Sequence, residues 1–232
     1  LLTLLLPCLS AAQSPFPATV EVDVIFPQND TYAPSPLMPI VFAIQNAHLA
    51  GPLDVNFEWS VYLVDDPDGV SDQRTVDLRG ANLSNTSLYF AYQTTGKLNH
   101  TEGAWSLLWT VSSGNCSGSG SNRTWAFSGS NLSKNLYFST NNSAPAPDLV
   151  AATADNTCAN MQAYTFNVTG ILDVPDPSKY DGHSSCAVVA PGPTPAANPC
   201  GAKVDAAAAS SISAAIMSSA CAAPQPVVSC PP

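Results

Sequence analysis

The chain has 232 residues, a formal net charge of -10 and a pI near 4.3. So acidic a chain repels phosphate backbones, which excludes nucleic-acid binding and disfavours anionic lipid surfaces. Charged residues are only 10% of the chain, against a usual fraction of about 25%, so Asn, Ser, Thr and any attached sugars must supply the surface polarity.

Residues Leu1 to Leu6 are almost wholly apolar, and Pro7 and the small residues Ser10, Ala11 and Ala12 follow. The pattern predicts a secretory signal peptide over residues 1–12, with its charged start missing, as the lack of an initiating Met also implies. The run is too short for a bilayer span of about 20 residues. Cleavage after Ala12 removes Cys8 and leaves Gln13 at the new terminus.

Residues 13–189 read as one β domain. Val20, Val22, Val24 and Phe26 alternate with Glu21 and Asp23, which are expected to face solvent. Val55, Phe57, Trp59, Val61 and Leu63 repeat the pattern, with Asn56, Glu58, Ser60 and Tyr62 on the other side. Leu88, Phe90 and Tyr92 form a third apolar row, Trp105 to Val111 a fourth, and Tyr164, Phe166 and Val168 a fifth. Shorter strands are expected around 39–45, 123–127 and 135–139, and no helical period is convincing before residue 189. One-sided alternation argues against a parallel sheet. The expected fold class is therefore mainly β: an antiparallel immunoglobulin/fibronectin-like β-sandwich followed by a C-terminal, disulfide-bracketed, Ala-rich helix. In this register Asn167 falls on the solvent face.

The run Asp65-Asp66-Pro67-Asp68-Gly69 reads as a turn. Aligned on Gly69 as the sixth position of a helical calcium loop, Val64 and Thr75 occupy the end positions where oxygen ligands belong, so that pattern fails. A looser calcium site stays open on ligand chemistry alone.

Residues 190–199 (APGPTPAANP) are Pro-rich and predict a stiff linker. Residues 200–232 form a Cys-bracketed tail. Val204, Ala208, Ile212, Ala215 and Ile216 recur at helical spacing within Lys203 to Ser219 and predict one amphipathic helix. Six cysteines remain after the signal: Cys116, Cys158, Cys186, Cys200, Cys221 and Cys230. An even number in a secretory context predicts three disulfides. A helix of about 16 residues rises about 24 Å, which keeps Cys200 and Cys221 apart. If the tail doubles back along the helix, Cys230 meets Cys200, Cys221 meets Cys186, and Cys116 is left for Cys158. That is one of 15 connectivities.

Nine N-x-S/T sequons are present. Asn29, Asn82, Asn85, Asn99, Asn122, Asn131, Asn141 and Asn167 are expected to carry glycans. Asn115 is set aside because its sequon contains Cys116.

The segment Val20 to Pro27, with Asn29-Asp30-Thr31-Tyr32-Ala33-Pro34 after it, resembles the opening of a secreted family of filamentous ascomycetes. So does Cys200-Gly201-Ala202-Lys203-Val204-Asp205, with the Ala and Ser run to Ser213 that follows. The family is catalogued as a domain of unknown function. The resemblance implies secretion and a glycosylated domain with a Cys-bracketed tail, and it brings no functional residues.

Catalytic patterns are scarce. Gly69-Val70-Ser71-Asp72 and Gly182-His183-Ser184-Ser185 each lack the closing Gly of a nucleophile elbow, having Gln73 and Cys186 there. His48, His100 and His183 are far apart and read as surface or turn residues, not as metal ligands, and no cofactor is implied. Glu21 and Glu58 could be a glycosidase carboxylate pair only if their strands are neighbours. Trp59, Trp105 and Trp109 fall on apolar faces and read as core, which leaves Tyr62 and Tyr89 as outward candidate ligand-contact aromatics, with Trp125 a further ring to consider. The expected function is a non-enzymatic, extracellular or cell-wall-associated surface or binding module. Its expected partners are cell-wall polysaccharide or another extracellular protein. A carbohydrate-active or other hydrolytic enzyme is the alternative, and a structural lipid-anchored wall protein the second alternative, although Pro231-Pro232 carry no anchor signal.

Overall fold

The computed structural model describes residues 16–119, 124–174 and 183–230; the expected signal peptide and the Asn122 sequon lie outside them. The protein is mainly β, with two five-stranded sheets, one of them a curled antiparallel half-barrel, and a C-terminal helix bracketed by disulfides. The strands are β1 (Ala18–Phe26), β2 (Thr31–Tyr32), β3 (Met38–Gln45), β4 (Asn56–Leu63), β5 (Asp66–Val76), β6 (Leu88–Thr95), β7 (Gly103–Ser119), β8 (Thr124–Thr140), β9 (Ala163–Asp173) and β10 (Ser185–Val189). The helices are α1 (Leu149–Ala152) and α2 (Ala206–Cys221). The first sheet runs β10-β9-β1-β3-β6 and the second β2-β8-β7-β4-β5. Every pairing is antiparallel except the short parallel pair of β2 with β8.

Alternation builds the core as the sequence leads one to expect. Val20, Val22 and Val24 of β1 and Ile40, Phe42 and Ile44 of β3 meet Phe57, Trp59 and Val61 of β4 and Trp105, Leu107 and Trp109 of β7, all buried. Phe42 spans the gap between sheets: its ring stacks on Phe57 at 5.5 Å and tilts against Trp109 at 5.9 Å. A buried indole needs a partner for its N–H. Trp59 donates to Gln93 Oε1, Trp105 to Thr140 Oγ1 and Trp109 to Gln162 Oε1, each at 2.8 Å.

Several local expectations are corrected. The strands expected at 123–127 and 135–139 are one 17-residue strand, β8, because the intervening Ser128 to Lys134 pairs residue by residue with β7. Asp66 to Gly69, read as a turn, opens β5. A short helix, α1, appears at Leu149, capped by Asp148, whose Oδ1 accepts from the Val150 and Ala151 N–H groups. On β6 the register is the reverse of the one expected. Tyr89, Ala91 and Gln93 pair with Ile44, Phe42 and Ile40 and share their inward face, while Tyr92 points outward. Gln93 is inward because Trp59 requires its side-chain oxygen.

The tail does not double back along its helix, so none of the geometric pairings holds. Cys116 bonds Cys186, tying β7 to β10; Cys158 bonds Cys200; Cys221 bonds Cys230. The reason is that residues 195–204 lie against the body of the protein, next to β1 and α1, before α2 begins. Cys200 is held at the Cys158–Asn160 turn, and Cys230 closes a nine-residue separation at the far end of α2. Asp205 caps α2 by accepting from Ala208 N–H, and Ile212 is its buried anchor.

Loop entropy ranks the bridges. Cys116–Cys186 closes a separation of 70 residues and Cys221–Cys230 one of 9, which correspond to about 4 and about 2.5 kcal/mol of chain-entropy stabilisation. Urea denaturation of C116S/C186S should therefore show a larger loss than that of C221S/C230S. Equal losses would mean that the tail bridge also holds packing.

Candidate functional site

Over β1 and its neighbour β3 the outer face of the first sheet is not a solvent face. Glu21 is 4% exposed and Asp23 0%, which corrects the expectation that both project into water. What covers them is the chain's own tail. Asn198 N–H donates to both Glu21 carboxyl oxygens at 2.8 and 2.9 Å. Thr165 Oγ1, beside Glu21 in the register, donates to the Pro195 carbonyl at 2.7 Å. Gln45 Nε2 donates both to Asp23 Oδ2 and to the Asn198 carbonyl. Three strands thus present polar groups that satisfy a segment with few backbone donors of its own.

Asp23 sits at the bottom of this cluster, and no hydrogen bond reaches its Oδ1. Burial is the main cause that pushes its carboxyl up to about 8; the Gln45 hydrogen bond pulls the other way, and the Glu21 side chain and charge push it further up. Protonation lets the Asp23 carboxyl donate as well as accept, next to the Glu21 side chain.

The second sheet presents the opposite situation. Its outer face is laid out in cross-strand rows. Ser71, Tyr62, Ser106 and Tyr137 form one, Gln73, Ser60, Leu108 and Asn135 the next, and Thr75, Glu58, Thr110 and Ser133 the third. Tyr137 is 55% exposed, whereas Ser106, between the two tyrosines, is fully buried and donates to Asn135 Oδ1. Thr110 and Ser133 hydroxyls bond each other at 2.8 Å. Glu58 is the one charged side chain in these rows.

The other expected site residues scatter. Asn29, Asn82, Asn85, Asn131 and Asn141 are exposed, and Asn99 and Asn167 are half-buried. Asn167 is on the outer face of β9 opposite Thr19, and its carbonyl accepts from Ala190 N–H where the tail departs. Asn115 is half-buried, and its Oδ1 accepts from Val189 N–H. Tyr62 and Tyr89 are on different sheets, Tyr89 packing against the core. Glu21 and Glu58 are likewise separated, on β1 and β4 of different sheets, so they do not form a carboxylate pair. His100 is exposed with a left-handed φ of 56°. His48 and His183, far apart in sequence, line one cleft of about 380 Å³ with Asp54, whose Oδ1 lies 3.4 Å from His183 Nε2. A carboxylate-oriented imidazole suits a general base, but no hydroxyl is hydrogen-bonded to it among the described residues. Sequence spacing gave no hint of this pairing. Among the described residues no group of three or more His, Cys, Asp or Glu side chains is placed to hold a metal ion, Asp65 to Asp68 included. No helix there is long and apolar enough to cross a membrane.

A family profile described as "Domain of unknown function (DUF7136)" matches residues 15–230, which takes in both sheets, the covering tail and all three disulfides. The chain belongs to this family. No curated protein and no solved structure matches it. The DUF7136 region therefore ends beyond the tail helix, and the segment that covers Glu21 and Asp23 lies inside it.

The buried carboxyl gives this domain a pH dependence of definite sign. Asp23 is raised in the folded state from 3.8 to about 8. Between those values the native state holds a proton that the unfolded chain has released, so stability falls as pH rises, by up to about 1.4 kcal/mol per unit. The loss begins near pH 4 and is complete above about pH 8. The melting temperature of the wild type should fall across this range more steeply than that of D23N, whose amide mimics the protonated acid. Parallel pH profiles would show that Asp23 is ionised in the fold.

Proposed function

We propose that this chain is a secreted, N-glycosylated, non-enzymatic binding module of the extracellular space or cell wall, with cell-wall polysaccharide as its leading partner and an extracellular protein as the other candidate. The observation that carries the reading is the asymmetry of the two sheets. The tail covers the outer face of one at β9, β1 and β3, and the other keeps a broad, nearly uncharged outer face. Three disulfides support an oxidising compartment. The sequence resemblance to secreted ascomycete proteins and the exposure of Asn29, Asn82, Asn85, Asn131 and Asn141 support secretion and glycosylation. The immunoglobulin/fibronectin-like description of the sandwich belongs to the same reading, supported by the packing of Phe42 on Phe57 between the sheets.

A hydrolytic enzyme is the second reading, and the Asp54–His183 pair in the cleft shared with His48 favours it. Incubation of purified, glycosylated protein with a polysaccharide panel separates the two. Retention on a polymer without release of reducing ends is expected. Steady release that H183A abolishes would establish the enzyme. Enzymatic deglycosylation and peptide mass mapping should find conversion to Asp at Asn29, Asn82, Asn85, Asn131 and Asn141 and none at Asn115. Unmodified asparagines throughout would contradict maturation in a secretory compartment.

A further inference from the structure

We propose that the outer face of the second sheet is a stacking platform for an extended, neutral, β-1,4-linked polysaccharide, with Tyr62 and Tyr137 each holding one sugar ring. The inference rests on the binding-module reading and assigns it a site and a ligand class.

Three observations converge on that face. The first is spacing. Tyr62 and Tyr137 flank Ser106 in one cross-strand row, on the same side of the sheet. They are two strands apart, which puts their backbones about 10 Å from each other. In a β-1,4-linked pyranose chain successive rings are turned over, so every second ring presents the same apolar face, and it does so at about this distance. An α-linked helical glucan does not keep its rings in such a plane. Tyrosine suits the task because its ring is apolar while its hydroxyl remains hydrogen-bonding. The second observation is charge. Glu58 is the one charged side chain in the three rows, and the chain as a whole carries -10. A polyanion is repelled, and a basic partner finds a single carboxylate to pair with, so a neutral, hydroxyl-rich ligand fits best. Ser60 and Asn135, in the row beside the rings, can meet sugar hydroxyls. The third is access. The corresponding face of the first sheet is occupied by the tail at Glu21 and Thr165. The sequon on the open face, Asn131, lies six residues along β8 from Tyr137, or about 20 Å, so a glycan there borders the ring row without covering it.

The test is depletion from solution by microcrystalline cellulose and by chitin, with starch granules as the α-linked control. Wild type is compared with Y62A, Y137A, Y137F and, on the outer face of the first sheet, Y92A. Thermal melts confirm that each variant is folded. The expected result is retention on at least one β-1,4 polymer and little on starch. Y62A and Y137A should weaken partitioning at least tenfold, while Y137F and Y92A stay near wild type. Retention equal on starch, or no retention by wild type, overturns the proposal. Full retention by folded Y62A and Y137A also overturns it, yet leaves a binding module whose site is elsewhere. Release of reducing ends sinks the binding-module reading itself. A dimer that Y137A converts to monomer would mean that a second copy of the chain occupies the face, and would overturn the polysaccharide assignment.

Discussion

Burial of the Glu21 carboxyl under the tail is the interaction on which the rest of this structure depends. A carboxyl group removed from water must find donors, or its desolvation is uncompensated. Glu21 finds one in the Asn198 N–H, which approaches both of its oxygens. That contact fixes where a Pro-rich segment with few donors lies, and Gln45 and Thr165 hold it from the two neighbouring strands. Once residues 195–204 are placed, Cys200 reaches Cys158 and Val204 reaches Thr153, and α2 starts beside α1. The tail is thus a third layer of the fold, laid over the first sheet.

This arrangement also sorts the two outer faces by role. Covering β1 and β3 allows apolar residues on both sides of those strands, so Ile25, Val41 and Ala43 are as deeply buried as Val24, Phe42 and Ile44. Among the described residues no such cover lies over the serine, threonine, tyrosine and asparagine rows of the second sheet. A face of that composition is soluble without charges and can exchange water for sugar hydroxyls at little electrostatic cost. The low content of charged residues in the chain has a structural correlate there.

Much of the inner core was legible from alternation. Trp59, Trp105 and Trp109 read as core and are, because period-two patterning reports which side of a strand meets its partner sheet. What patterning does not report is whether the other side is wet. The continuous apolar run from Pro39 to Ile44 carried that information, since a strand buried on both faces loses alternation. The polar alternation of Glu21 and Asp23 pointed the other way, because a carboxylate met by a distant backbone amide looks in sequence like one met by water. β6 failed for a related reason: Gln93 is inward to serve one indole, and that need is written in β4, not in β6. The disulfide pairings were illegible because they follow from the position of the tail, which the geometry of a single helix cannot reveal. Of the candidate site, Tyr62 was visible as outward, whereas its row partner Tyr137 emerged only with the β7–β8 register. The meeting of His48 and Asp54 with His183 in one cleft was equally beyond reach, since the β3–β4 connection supplies the first two and the residues before β10 the third.

Hydrogen exchange at the Asn198 amide tests the central claim most directly. An N–H donated into a buried carboxyl, on a segment pinned by Gln45 and Thr165, should exchange orders of magnitude more slowly than a free amide in a Pro-rich linker, at a rate comparable with the β1 core amides. Exchange at the rate of an unprotected peptide, with β1 still protected, would show that the tail is a loose linker and that the outer face of the first sheet is open.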